Sequence, residues 1–79
     1  MLEKENIEMS KLEIDKNKNR FWRNDYGKLH RLDGPAIEFS DGSKFWYKNG
    51  QRHREDGPAV ECNNGYKAWM INNIEYKKD

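Results

Sequence analysis

Apolar residues in this chain fall in short stretches rich in aromatic and β-branched side chains, separated by turn formers. Ala36-Ile37-Glu38-Phe39, Phe45-Trp46-Tyr47, Ala59-Val60-Glu61-Cys62 and Ala68-Trp69-Met70-Ile71 are the clearest. This is the composition of β-strands. Asp41-Gly42, Asn49-Gly50 and Asn64-Gly65 mark hairpin turns, because a type I′ turn needs positive φ at both central residues and these pairs tolerate it. Pro35 and Pro58 have no N–H to give a ladder, so each is expected at the first residue of a strand or on an edge.

The pattern repeats. His30-Arg31-Leu32-Asp33-Gly34-Pro35-Ala36 returns as His53-Arg54-Glu55-Asp56-Gly57-Pro58-Ala59, a shift of 23 residues. In the same register Trp46 aligns with Trp69, Asn49-Gly50 with Asn72-Asn73, and His53-Arg54-Glu55-Asp56 with Tyr76-Lys77-Lys78-Asp79. A period of this length is the mark of a repeat architecture, in which each unit packs on its neighbour. Trp22 is the matching residue of the first copy. One extra residue within Asn24-Asp25-Tyr26-Gly27 predicts a turn of different shape there. The expected fold is all-β: an antiparallel meander of 23-residue β-hairpin repeats, two strands per repeat, forming a single sheet.

Turn register decides which residues share a face. A two-residue loop at Asp41-Gly42 sets Phe39 opposite Lys44 and Ile37 opposite Trp46; one at Asn49-Gly50 sets Trp46 opposite His53. Alternation then predicts a core face of Ile37, Phe39, Trp46 and His53, continued by Val60, Cys62, Trp69 and Tyr76. The opposite face carries Ala36, Glu38, Phe45, Tyr47 and Arg52, then Ala59, Glu61, Ala68, Met70 and Glu75. That second face is amphipathic and available to a partner.

Residues 1–19 form a separate N-terminal segment before a repeat domain at 20–79. Leu2, Ile7, Met9, Leu12 and Ile14 fit a helix poorly. Leu12–Ile14 with Lys16-Asn17-Lys18-Asn19 reads instead as a degenerate leading half-repeat. If it adds a strand rather than a lid, the apolar face stays open. Homodimerisation through that face is then expected, and the strand Ile74–Lys77 offers an unpaired edge.

Seventy-nine residues make one domain, and with 34% apolar and 37% charged residues its core is small. The net charge of +1 argues against a strongly basic nucleic-acid binder and against an acidic mimic of nucleic acid. One cysteine allows no internal disulfide and suits a reducing compartment. Cys62 replaces Phe39 in the repeat and reads as a small buried hydrophobe. The first residues lack the apolar core of a signal peptide, and no run approaches transmembrane length. A cytoplasmic location without membrane insertion is expected.

Trp46-x-x-Asn49-Gly50-x-x-His53, with a later glycine before the next strand, resembles the MORN (membrane occupation and recognition nexus) repeat over residues 20–79. The resemblance implies a meandering single-layer sheet and a scaffolding or protein- and lipid-binding role. The chain departs from the family where Arg31 and Arg54 replace the glycine after His and Asp-Gly-Pro-Ala follows. This variant is similar to repeats encoded by phages, giant viruses and some bacteria, which for a phage or viral product implies the host cytoplasm.

Three constellations carry candidate chemistry. His30, Arg31 and Asp33 with His53, Arg54 and Asp56 suggest acid–base work or a metal site. A set that recurs at the period, and that exchanges His for Tyr76 in the third copy, is a structural requirement first. In that account His packs beside Trp and donates a hydrogen bond, Asp caps the Gly-Pro turn through backbone N–H groups, and Arg bridges to that Asp or to Glu38 and Glu61. No catalytic residue, metal or cofactor is expected. Lys16, Lys18, Arg20 and Arg23, without an acid between them, form a candidate patch for phosphate or an acidic partner. Trp22, Trp46 and Trp69 suggest a stacking platform, but successive rings fall roughly 10 Å apart, two strand spacings, which disfavours a continuous stack. Phe45, Tyr47, Arg52 and Met70 form a candidate protein-contact patch of residue types enriched at interface hot spots. The functional expectation is a non-enzymatic protein-binding module, in one concrete version a small phage or viral inhibitor of a host defence factor such as a CRISPR nuclease. The alternative is an RNA or single-stranded nucleic-acid binding protein.

Overall fold

A computed structural model describes residues 10–76; the expectations for Leu2, Ile7, Met9 and Lys77–Asp79 lie outside these. The described residues form nine strands and no helix: β1 (Lys11–Ile14), β2 (Arg20–Arg23), β3 (Ile37–Glu38), β4 (Lys44–Phe45), β5 (Tyr47–Lys48), β6 (Gln51–Arg52), β7 (Val60–Glu61), β8 (Lys67–Ile71) and β9 (Ile74–Tyr76). Seven pair antiparallel in the order β1-β2-β3-β4-β7-β8-β9, and β5-β6 form a separate hairpin. The fold is thus all-β, built mostly from sequential hairpins rather than from one sheet alone. The segment read as a leading half-repeat holds strand β1, which pairs with β2 from Lys11↔Arg23 to Ile14↔Arg20.

Two kinds of turn alternate. Asn49-Gly50 and Asn72-Asn73 are two-residue loops with positive φ at both positions (53° and 84°, 51° and 70°), as type I′ geometry requires. The turns at Asp41-Gly42 and Asn64-Gly65 have three residues instead. Phe39 N–H donates to Ser43 O and Cys62 N–H to Tyr66 O, both at 2.9 Å, with Gly42 and Gly65 each at φ 97°. This is a type I turn closed by a left-handed residue. The same form closes Asn24–Lys28 with Gly27 at 80°, so the extra residue of the first copy lengthens a two-residue loop to three. It also closes Asp15–Asn19, where Lys18 takes the left-handed position at φ 70°.

That one residue of loop length overturns the expected faces. Ile37 pairs with Phe45, not Trp46, and a slip of one moves every side chain of a strand to the other side. Ile37, Phe39, Val60 and Cys62 therefore join Phe45, Tyr47, Ala68 and Met70. Trp46, His53, Trp69 and Tyr76 join Ala36, Glu38, Ala59 and Glu61. The pairings across the two-residue loops hold: Tyr47↔Arg52 puts Trp46 beside His53, and Trp69 pairs with Tyr76.

Two cross-strand rows result. The first runs Phe21–Ile37–Phe45–Val60–Ala68 and makes the apolar face. Phe39 packs edge-to-face on Phe21 and Phe45, at centroid distances of 6.3 and 5.5 Å. The adjacent row on the opposite face runs Arg20–Glu38–Lys44–Glu61–Lys67, alternating in sign at every step. The buried hydrophobic residues are small (Ala36, Ala59, Val60 and Ala68), and no large described side chain is fully buried. The thin extents of 41 × 32 × 16 Å fit such a sheet.

Candidate functional site

The His-Arg-x-Asp-Gly-Pro segments make the same loop twice, and each is held by its arginine. Arg31 lies 3.8 Å above the Trp22 ring and Arg54 lies 3.9 Å above Trp46. Arg31 Nε donates to Asp33 Oδ1 at 3.0 Å, and its Nη1 to Pro35 O at 3.1 Å and Glu38 Oε2 at 3.4 Å. Arg54 does the same to Asp56, Pro58 O and Glu61 at 3.2, 3.1 and 3.2 Å. A planar fork of donors suits three acceptors around one ring better than an ammonium does. The glycine of each loop leaves room for the fork: a Cβ on Gly34 or Gly57 would stand 2.9 or 2.8 Å from the guanidinium carbon.

Two details differ from the expected roles. The aspartates accept from the arginine side chains, and their carboxylates are largely exposed; this arginine contact replaces the expected capping of backbone N–H groups. His30 accepts rather than donates at Nδ1. Asn49 N–H donates to His30 Nδ1 at 2.9 Å, and Asn72 N–H to His53 Nδ1 at 3.3 Å. Each histidine thereby ties its return strand to the Asn turn of the following copy. His53 Nδ1 also lies 3.1 Å from Asn72 Oδ1, and its Nε2 lies 3.0 Å from Glu55 Oε2. His30 is buried.

A cleft of about 570 Å³ opens between the two loops, lined by residues that include Trp46, Lys48, His53, Asp33 and Asp56. Its arginines are engaged as described, and among the described residues no group of three or more His, Cys, Asp or Glu is placed to hold a metal ion. Cys62 is half-buried.

The candidate protein-contact residues come together. Arg52 Nε donates to the Tyr47 hydroxyl at 3.2 Å, and its guanidinium lies 5.7 Å from the Phe45 ring and 5.9 Å from that of Tyr47. Met70 lies on the same face by alternation along β8. All four side chains are half-buried. The candidate basic patch is divided. Lys16 and Lys18 sit in the exposed β1–β2 turn. Arg20 lies on the Trp-bearing face, 3.6 Å from Glu38. Arg23 lies on the opposite face, bonded to Glu13 and Gly27 O.

The alternating charge row was not anticipated from the sequence. Its signal was present, since Glu38 and Lys44 recur 23 residues later as Glu61 and Lys67. The loop length needed to bring them into line was not. No protein-family model, curated protein or solved structure matches this chain.

Proposed function

We propose that this chain is a non-enzymatic, MORN-like β-repeat module that binds a protein partner through the face bearing Phe45, Tyr47, Arg52 and Met70. The observation that carries the reading is the Arg52 guanidinium held against two aromatic rings on an apolar face. Arginine and aromatic side chains of this kind supply most of the energy at protein interfaces. The two His-Arg-Asp sets support the reading indirectly, because their polar atoms are committed to holding the loops. A small phage or viral inhibitor of a host defence factor is the concrete version of this role.

The test is affinity purification from host lysate, in parallel with and without nuclease, using the native chain and a Tyr47→Ala/Arg52→Glu variant whose far-UV circular dichroism is unchanged. A protein captured by the native chain in both arms and lost by the variant is the expected result. Equal capture by the variant removes this face from the reading. Capture that vanishes with nuclease, and weakens steeply with salt, replaces it with the nucleic-acid alternative.

A further inference from the structure

Among the described residues strand β1 ends the sheet, and all four of its residues are exposed. Leu12 and Ile14 are 47% and 55% exposed, high values for large apolar side chains on a strand. Backbone direction along β1 is settled by the turn that follows it. Asp15 N–H donates to Asn19 O across the hairpin at 3.0 Å, so Asp15 points its backbone groups toward β2. Direction alternates in an antiparallel ladder. Glu13 and Lys11 therefore also point to β2, and Ile14, Leu12 and Ser10 point theirs outward, unpaired by any described strand.

We propose that β1 is a self-recognition edge, which pairs antiparallel with β1 of a second copy about a two-fold axis through Leu12. The occupant follows from register and charge together. A two-fold axis sets one residue opposite its own copy; at Lys11 or Glu13 that is a like-charge pair, which leaves Ser10, Leu12 and Ile14. An axis at Ile14 sets Glu13 opposite the partner's Asp15, a like-charge pair. An axis at Leu12 sets Lys11 opposite the partner's Glu13, twice by symmetry, in the closer non-hydrogen-bonded positions where side chains interact most. Leu12 then exchanges both of its backbone hydrogen bonds with the partner's Leu12, and Ile14 exchanges its own with the partner's Ser10. Leu12 also continues the contact it makes with Trp22 across β2. The pairing is isologous and closes at two copies, and it leaves the Phe45 face free.

Sedimentation of the full chain from about 10 μM to about 1 mM, a range suited to a contact this small, is expected to show a monomer–dimer equilibrium. Lys11→Glu and Glu13→Lys each place like charges opposite and each weaken the dimer by about tenfold. Mixing the two variants restores it, because each then meets its complement. On a Cys62→Ser background, Leu12→Cys is expected to form a disulfide dimer in air, since Cα atoms of a hydrogen-bonded pair lie about 5.5 Å apart. Ile14→Cys, placed opposite Ser10, is not. A chain that stays monomeric throughout overturns the proposal. So does a dimer indifferent to both charge reversals, or one that Ile14→Cys traps as readily as Leu12→Cys.

Discussion

Replacing Arg54 by Met keeps the aliphatic stem and removes the fork. The guanidinium sits 3.9 Å over Trp46 with only a quarter of the side chain exposed, a sheltered cation–π contact of about 1 kcal/mol. Its hydrogen bond to Pro58 O adds about 1 kcal/mol, the net worth of a typical intramolecular hydrogen bond. The ion pair with Asp56, which is 90% exposed, is worth only about 0.3 kcal/mol, and that with the less exposed Glu61 about 0.5 kcal/mol. Met recovers part of the packing on Trp46, so the expected net loss is about 2 kcal/mol. A chain of this size has about 4–12 kcal/mol in all. Arg54→Lys should fall between, losing about 1 kcal/mol, because an ammonium reaches one of the three acceptors at a time. Urea unfolding followed by far-UV circular dichroism measures both, free of the altered environment of Trp46. A loss below about 0.5 kcal/mol for the Met variant, well under the sum of these contacts, would refute the view that the arginine clamps the loop. Equal stability of the Lys and Arg proteins would refute the importance of the fork.

Other outcomes follow from the turns. Lys18 occupies the left-handed position that Gly27, Gly42 and Gly65 fill in the equivalent loops, so Lys18→Gly should stabilise the chain by about 0.5–1 kcal/mol; a destabilised variant in the same urea titration would contradict this. Gly57→Ala places a Cβ against the Arg54 fork and should lose about 1–2 kcal/mol by displacing it, and that loss should shrink on an Arg54→Met background in a double-mutant cycle. Asp15 is held below its ordinary value of 3.8 chiefly by the Asn19 backbone N–H, then by the Asn19 side-chain amide and the Asn17 N–H. A depressed carboxyl stabilises the folded state above its unfolded pKa, and that contribution fades as pH falls through the lower folded value. Amide exchange of Asn17 and Asn19 should therefore accelerate selectively, beyond the intrinsic pH dependence, only at acid pH below about 4; Asp15→Asn should abolish the acid step.

Much of the loop chemistry was legible at the level of residue type. The recurrence of His-Arg-x-Asp-Gly-Pro pointed to a structural unit, and the Arg–Asp and Arg–Glu38 contacts follow from it. Two roles were not legible. Asp beside a Gly-Pro turn has backbone N–H groups within reach by composition alone, yet the Arg fork, drawn in by the Trp ring, takes the carboxylate. Each histidine Nδ1 meets a backbone N–H of the next copy's Asn turn, a contact made 19 residues away in the chain. The basic run from Lys16 to Arg23 looked like one patch, but it crosses a turn and enters a strand, where alternation sends Arg20 and Arg23 to opposite faces.

By itself the sequence determined the period, the strand-forming stretches, the type I′ turn at Asn49-Gly50 and the pairing of Trp46 with His53 and of Trp69 with Tyr76. Those features depend on contacts within a few residues, where composition constrains φ and pairing directly. Which face each strand shows was decided by the tertiary structure. Asp-Gly fits a two-residue loop or the end of a three-residue one equally well, and the choice rests on whether Phe39 meets Phe21 and Phe45 while Glu38 meets Arg31 and Arg20. Those partners come from other strands, so the decision is made only when the sheet assembles. Because side chains alternate with a period of two, that single residue moved the tryptophans from the apolar face to the charged one.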